Sequence, residues 1–282
     1  MTWTFTSDLA SYQAAAGPAV AAEPVTNTLL LSVADALVRR GPQAFGPGPA
    51  PFFGWWTGAD GSVAGGVVCT PPFPLTLGAL PPEAVRALGA ALGTEPLLSG
   101  VGAVNARRPE AELLSAAWGR PWETAEETRL YRLDGLLAPD PAPQGRARRA
   151  APADLPLLLE WTLAFKREAG VRGAASEAAL RDRLSYGGLL LWEHAVGEPV
   201  SLAGFTRPIG SASRVGPVYT PPGRRGRGFA AGVTYAVSRA ARAGGAREVL
   251  LFTDLANPTS NGVYRRLGYT PVEDRVEVVA VG

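Results

Sequence analysis

One cysteine and one histidine occur in 282 residues. Cys69 alone cannot form an intrachain disulfide or a cysteine-based metal cluster. His194 alone cannot build a histidine-rich zinc site and leaves little for a nucleophilic triad, so no metal is expected. Lysine is equally scarce: Lys166 stands by itself among arginines. Opposite charges nearly cancel at +2, too little to argue for nucleic acid or an anionic membrane as partner. No apolar run reaches the ~20 residues of a membrane helix. The opening Met1–Asp8 lacks the basic and apolar regions of a secretion signal, so a cytoplasmic protein is expected.

A hydrophobic content of 46% with 18% charge is globular, and the length suits two domains. Helical spacing covers Tyr12 to Ala22 and Asn27 to Arg40, so residues 1 to about 45 are expected to be helical. Phe52 to Trp56 and Val63 to Thr70, joined across Asp60-Gly61, read as a hairpin. A helix from Pro81 to Leu92, a strand near Leu97 to Val104, a helix from Pro109 to Trp118 and a strand from Thr128 to Leu133 follow. The proline-rich run Ala138 to Gly145 reads as a semi-rigid spacer. It divides the chain into expected domains 1–145 and 146–282. The second half reads as a strand near Arg148, helices over Leu157–Ala169 and Ser176–Leu184, and a hairpin across Gly197-Glu198-Pro199. Strands at Val215–Thr220, Glu248–Asp254 and Val276–Val281 then alternate with helices. The two halves share this element order, which suggests a duplication. The fold class is α/β, with a mixed sheet in each half.

The chain is organised around Val218 to Ala230. Two prolines, Pro221 and Pro222, stop a short apolar strand. Gly223, Arg224, Arg225, Gly226, Arg227 and Gly228 follow, and then Phe229, Val233, Ala236, Val237 and Ala240 repeat at helical spacing. Gly244-Gly245 closes that helix. A strand, a Gly/Arg loop and a helix start make an anion site, because the first helical amides lack partners and glycine lets backbone approach ligand oxygens. Pyrophosphate is the natural guest. No lysine completes a Walker loop. Gly226, Gly228 and Gly232 imitate a Rossmann spacing, but too little chain follows to carry that fold.

Arg225-x-x-Gly228-x-Ala230 resembles the Arg/Gln-x-x-Gly-x-Gly/Ala signature of the GNAT superfamily of acyl-CoA-dependent N-acetyltransferases. Asn257-Pro258-Thr259-Ser260-Asn261-x-x-Tyr264-x-x-x-Gly268-Tyr269 is similar to that family's second signature. The details look like a bacterial subgroup near the glycine N-acyltransferase branch. The resemblance covers roughly the last 135 residues well and the first half faintly. It implies tandem GNAT-like domains, the first degenerate: Leu80-Pro81-Pro82-Glu83 stands where the second half has its loop, without the glycines or arginines. It also implies acetyl-CoA as co-substrate and a primary amine, a small molecule or amino acid, as acceptor.

The coenzyme contacts expected on this basis are Val218, Tyr219 and Thr220 along the pantetheine arm and Arg224, Arg225, Gly226, Arg227, Gly228, Phe229 and Ala230 at the pyrophosphate. Asn257 is explained as a helix N-cap, and the resemblance adds a contact to the coenzyme arm. Tyr264 is the general acid that the resemblance implies, against a plain role in an apolar stripe with Val263 and Leu267. A phenol is protonated at neutral pH and can give its proton to a departing thiolate. No carboxylate occupies Gly216 to Thr220, where many GNAT enzymes carry a base. Glu168, Glu193, His194 and Asp254 stay open, with Glu193 and His194 expected at a solvated hairpin end. The alternatives are an acyl-CoA-binding module without turnover and a phosphate-reading nucleic-acid binder.

Overall fold

The structure, a computed structural model, describes residues 1–173, 175–195 and 197–281. Contacts divide the chain into two compact units, Met1–Thr128 with Glu273–Gly282, and Arg129–Val272. The division falls inside strands and not at the proline-rich run. The first unit takes in a segment distant in sequence, whereas the second is one continuous stretch.

The first unit contains β1 (Thr2–Thr6), α1 (Leu9–Ala22), α2 (Thr28–Arg40), β2 (Phe52–Thr57), β3 (Val63–Cys69), β4 (Leu75–Leu77), α3 (Pro82–Ala91), β5 (Ala103–Arg107) and α4 (Arg108–Trp118). The start of β6 (Trp122–Leu133) and the end of β12 (Tyr269–Ala280) complete it. The strand order is β1-β2-β3-β4-β5-β12. Only the β4–β5 pair is parallel among the described pairs, with α3 between its strands. Residues 1 to 45 are therefore not all helical. Thr2-Trp3-Thr4-Phe5-Thr6 alternates as a strand should, and Trp3 and Phe5 stack at 5.5 Å on the same face. The strand expected from Leu97 begins later, at Ala103, because Pro96–Leu98 forms a 3₁₀ turn and Gly100 and Gly102 follow it.

Arg275, 1% exposed, fastens the last strand into this unit. Its Nε donates to Asn105 Oδ1 at 2.8 Å, and its two terminal nitrogens reach Glu273 at 3.1 Å and the Leu77 carbonyl at 2.7 Å. Burial pulls its pKa down, and these acceptors are what make a buried cation tolerable.

The second unit contains the end of β6, then β7 (Arg146–Arg149), α5 (Leu155–Glu168), α6 (Glu177–Ser185), β8 (Leu189–Ala195), β9 (Glu198–Phe205) and β10 (Ala212–Tyr219). After these come α7 (Phe229–Ala243), β11 (Glu248–Asp254), α8 (Pro258–Arg266) and the start of β12. The strand order is β6-β11-β10-β9-β8-β7. Alternate strand residues feed two cores. Leu190, Trp192, Val215 and Leu251 join Phe229, Val233 and Val237 of α7. Leu189, Leu191, Leu202 and Tyr219 join Leu158 and Trp161 of α5 and Leu180 of α6. The sheet is thus covered on both faces by helices whose apolar stripes the sequence marked.

The proline-rich run is not a free spacer. Trp192 Nε1 donates to the Gln144 carbonyl at 2.8 Å, and Pro143 lies over the first turn of α7. A Cβ at Gly232 would come within 2.8 Å of Pro143 Cγ and 2.9 Å of the Trp192 ring. Helix propensity alone favours alanine over glycine by about 1 kcal/mol, whereas overpacking costs about 1–3 kcal/mol. Gly232→Ala should therefore lower stability in denaturant unfolding and speed amide exchange near Gln144; a stabilised variant would show that Pro143 does not rest there.

Candidate functional site

Strand β10 carries the feature on which the site is built. Among the described residues, its parallel ladder with β11 runs from Ala212–Glu248 to Val215–Leu251 and stops there, although β10 continues to Tyr219 and β11 to Asp254. On its other side β10 pairs with β9 at Val215–Phe205, slips register, and resumes at Val218–Ala203 and Tyr219–Leu202. Pro217 sits in the slipped segment and has no N–H to donate, as a proline within a sheet requires. Past Val215, β10 follows β9 and leaves β11. Main-chain groups of residues 216–219 facing β11 have no strand partner among the described residues, an edge that an extended amide-bearing chain can join. Arg183 of α6 donates to the Gly216 carbonyl.

Beyond Tyr219 the chain makes the expected elbow. Pro222–Arg224 is a 3₁₀ turn, with the Arg224 amide on the Pro221 carbonyl at 2.8 Å. Gly226 and Gly228 both adopt φ of +76°, in the left-handed region that other residues enter at a cost of about 1–2 kcal/mol. Gly228 is the N-cap of α7 and has no side chain to cap it; the first intrahelical bond is Gly232 N to Gly228 O at 3.0 Å. The amides before it are free to point at an anion, and the helix dipole adds to the attraction. Phe229 is buried at 2% exposure beneath this turn, and Ala230 is half-buried.

The three arginines separate. Arg227 is exposed, with no ion pair among the described residues. Arg224 pairs with Glu198, the first residue of β9. Arg225 donates Nε to the Thr220 carbonyl at 2.9 Å and pairs with Glu168 at the end of α5. Tyr219 donates its hydroxyl to the other Glu168 oxygen at 2.8 Å. The Arg225 bond, then the Tyr219 bond, holds the Glu168 carboxyl below its usual range. Thr220 Oγ1 lies 2.8 Å from Ser201 Oγ, and Val218 packs on the α7-side core.

On the second signature, Asn257 accepts the Ser260 amide at 3.0 Å as the N-cap of α8. Asn261 is absorbed into structure: it accepts from Tyr131 at 2.9 Å and donates to the Asp254 and Asn257 carbonyls at 2.8 Å each. Tyr264 is 9% exposed, stands edge-on to Tyr269 at 6.1 Å and shares its core with Val215, Phe229 and Leu251. Burial pushes its phenol up to about 12, so it carries its proton at neutral pH.

The open base candidates are all engaged or poorly suited. Glu193 is not solvated: it is 6% exposed, and Arg148 donates to it at 2.6 Å while also holding Asp154 at 2.7 Å. His194 is half-buried against Phe229, ring centroids 5.4 Å apart, and its buried Nδ1 has no hydrogen-bond partner among the described residues. Asp254 caps the Ala256 amide at 2.7 Å. Cys69 is buried in the first unit with its thiol pushed up to about 12, a poor nucleophile. No three histidine, cysteine or carboxylate residues among those described could hold a metal, and no described helix is long and apolar enough to cross a membrane.

Comparison with known proteins bears on the fold. The model of the FR47-like protein family matches residues 201–278, which span β9 to β12 with the elbow. No curated protein matches the chain. Among solved structures, a GNAT-family acetyltransferase from Colwellia psychrerythraea superposes at a TM-score of 0.67 with 12% identity, covering 100% of both chains. A GCN5-related N-acetyltransferase from Sphaerobacter thermophilus gives 0.61 and 18%, covering 98% of this chain and 94% of its own. A tandem GNAT protein of the clavulanic acid biosynthesis pathway gives 0.60 and 16%, covering 100% and 99%. The chain has the GNAT N-acetyltransferase fold.

Gly228 separates strain from charge at the elbow. Gly228→Ala should cost about 1–2 kcal/mol of stability through its φ. If the elbow holds the pyrophosphate of coenzyme A, Gly228→Asp should place a carboxylate against it and weaken coenzyme A binding by about 100-fold or more in calorimetry. Gly223→Asp, in open space without a positive φ, is the control; equal affinity in all three would remove the elbow from the site.

Proposed function

We propose that the protein is an acyl-CoA-dependent N-acyltransferase that passes an acetyl group from acetyl-CoA to a primary amine. The observation that carries this reading is the departure of β10 from β11 at Val215–Leu251, which runs directly into the glycine elbow. The pantetheine arm would lie along Val218 to Thr220 and pair with the vacant strand edge. The pyrophosphate would sit on the amides from Gly226 to Ala230, with Arg227 the arginine best placed to turn toward it. Asn257 would contact the arm only through what its capping role leaves over.

The amine nitrogen attacks the thioester carbonyl carbon, a new C–N bond forms and the C–S bond breaks. Tyr264 gives its hydroxyl proton to the departing sulfur and regains one from the amine by way of water. Positioning two reactants in one groove removes several kcal/mol of bimolecular entropy cost. A weakly basic amine needs no dedicated carboxylate, which suits a site whose nearby acids are all in use. The acceptor class we favour is a small amine or amino acid, as in the glycine N-acyltransferase branch, and the working compartment is the cytoplasm. The first half is read as a degenerate GNAT-like partner, since its parallel β4–α3–β5 unit has the order of β10–α7–β11 but no elbow.

A second reading, an acyl-CoA-binding module without turnover, is favoured by the engagement of Glu168 and Glu193 with arginines. Thioester consumption across an amine panel separates the two. The enzyme should release free thiol with at least one amine, whereas coenzyme binding without release on any amine supports the module. In the enzyme, Tyr264→Phe should reduce kcat by about 10²–10⁴-fold with coenzyme affinity unchanged, and its phenol should cause no loss of rate up to about pH 10. Wild-type turnover in that variant ends the acid role.

A further inference from the structure

We infer that Glu168 is a positioning residue for the anion elbow and acts through Arg225. The inference rests on the coenzyme reading of that elbow. Arg225 is the arginine of the signature, yet its guanidinium is engaged by acceptors of the chain itself. It closes the loop on itself, Nε to the Thr220 carbonyl at 2.9 Å, so the last residue before the left-handed Gly226 is tied to the first residue after β10. One hydrogen bond from a half-exposed arginine would let the ring of atoms open. Glu168, 57 residues away in sequence at the end of α5, takes the remaining face of the guanidinium through Oε2. Its Oε1 is in turn fixed by the Tyr219 hydroxyl at 2.8 Å. Tyr219 is itself 6% exposed, packed 6.2 Å from Trp161 of α5, and lies 6.0 Å from the Arg225 guanidinium. The α5 helix, the end of β10 and the elbow are joined by this one carboxylate.

The arrangement makes a prediction of sign. A carboxylate close to a pyrophosphate site is electrostatically unfavourable, so if charge were its whole effect, deleting it would tighten the coenzyme. As a positioning residue, its deletion frees Arg225, loosens the elbow and weakens the coenzyme. Arg224 and Glu198 do not share this role, because their pair ties the loop to β9 without closing it on Thr220.

The experiment measures coenzyme A affinity by calorimetry, and amide exchange of residues 226–231 in the free protein, for wild type, Glu168→Ala and Glu168→Gln. Glu168→Ala should raise Kd about fivefold, the scale of one partly exposed ion pair, and speed exchange in the elbow. Glu168→Gln keeps one acceptor oxygen and should fall between. Tighter binding in Glu168→Ala, or unchanged binding and exchange, overturns the inference. If wild type binds no coenzyme, the coenzyme reading fails, and exchange alone decides: faster elbow amides in Glu168→Ala sustain the positioning role and unchanged ones end it.

Discussion

Two neighbouring parallel strands must stop bonding to each other for this site to exist. A parallel ladder satisfies every main-chain donor and acceptor between its strands, and a ligand can join it only where the ladder is interrupted. Here the interruption falls after Val215 and Leu251, and β9 is what makes it tolerable. β10 slips register around Pro217 and continues to bond with β9, so only one of its edges is vacated. The elbow then follows within a few residues because Pro221 and Pro222 end the strand. The gap and the glycine elbow are consecutive along one stretch of chain, and α7 and α5 pack on opposite faces to hold it.

The elbow itself was legible in the sequence, and for local reasons. Glycines at 226 and 228, prolines at 221 and 222 and the helical spacing from Phe229 each depend on residues a few positions apart. The hairpins, α3, α4 and the helices of the second half were legible by the same means. What escaped was whatever depends on a distant partner. Arginines 224 and 225 read as phosphate ligands, and nothing local could show that Glu198 and Glu168 already engage them. Glu193 read as solvated because it ends a hairpin, yet β7 brings Arg148 across to it.

Two misreadings were avoidable. β1 alternates threonine with aromatic residues, a strand pattern overshadowed by the alanine-rich helix that follows. The proline-rich run was read from composition as a spacer, although Pro143 and Gln144 are held against Gly232 and Trp192. Composition describes how a segment behaves when nothing touches it. Tyr264 is an intermediate case: the same buried position that makes it part of an apolar stripe also keeps its phenol protonated, so its place in the stripe does not compete with the proposed acid role.

Arg275 has a consequence for how the protein is made. The first unit needs residues from Glu273 onward, and the acceptors that this arginine binds, Leu77 and Asn105, emerge from the ribosome long before it does. Until residues 275–279 of β12 are synthesised, the β5 edge of that unit lacks this neighbour and stands open to the wrong strand. Synthesis of this protein therefore carries a waiting period, and a chaperone that shields an unpaired strand edge would be of most use during it.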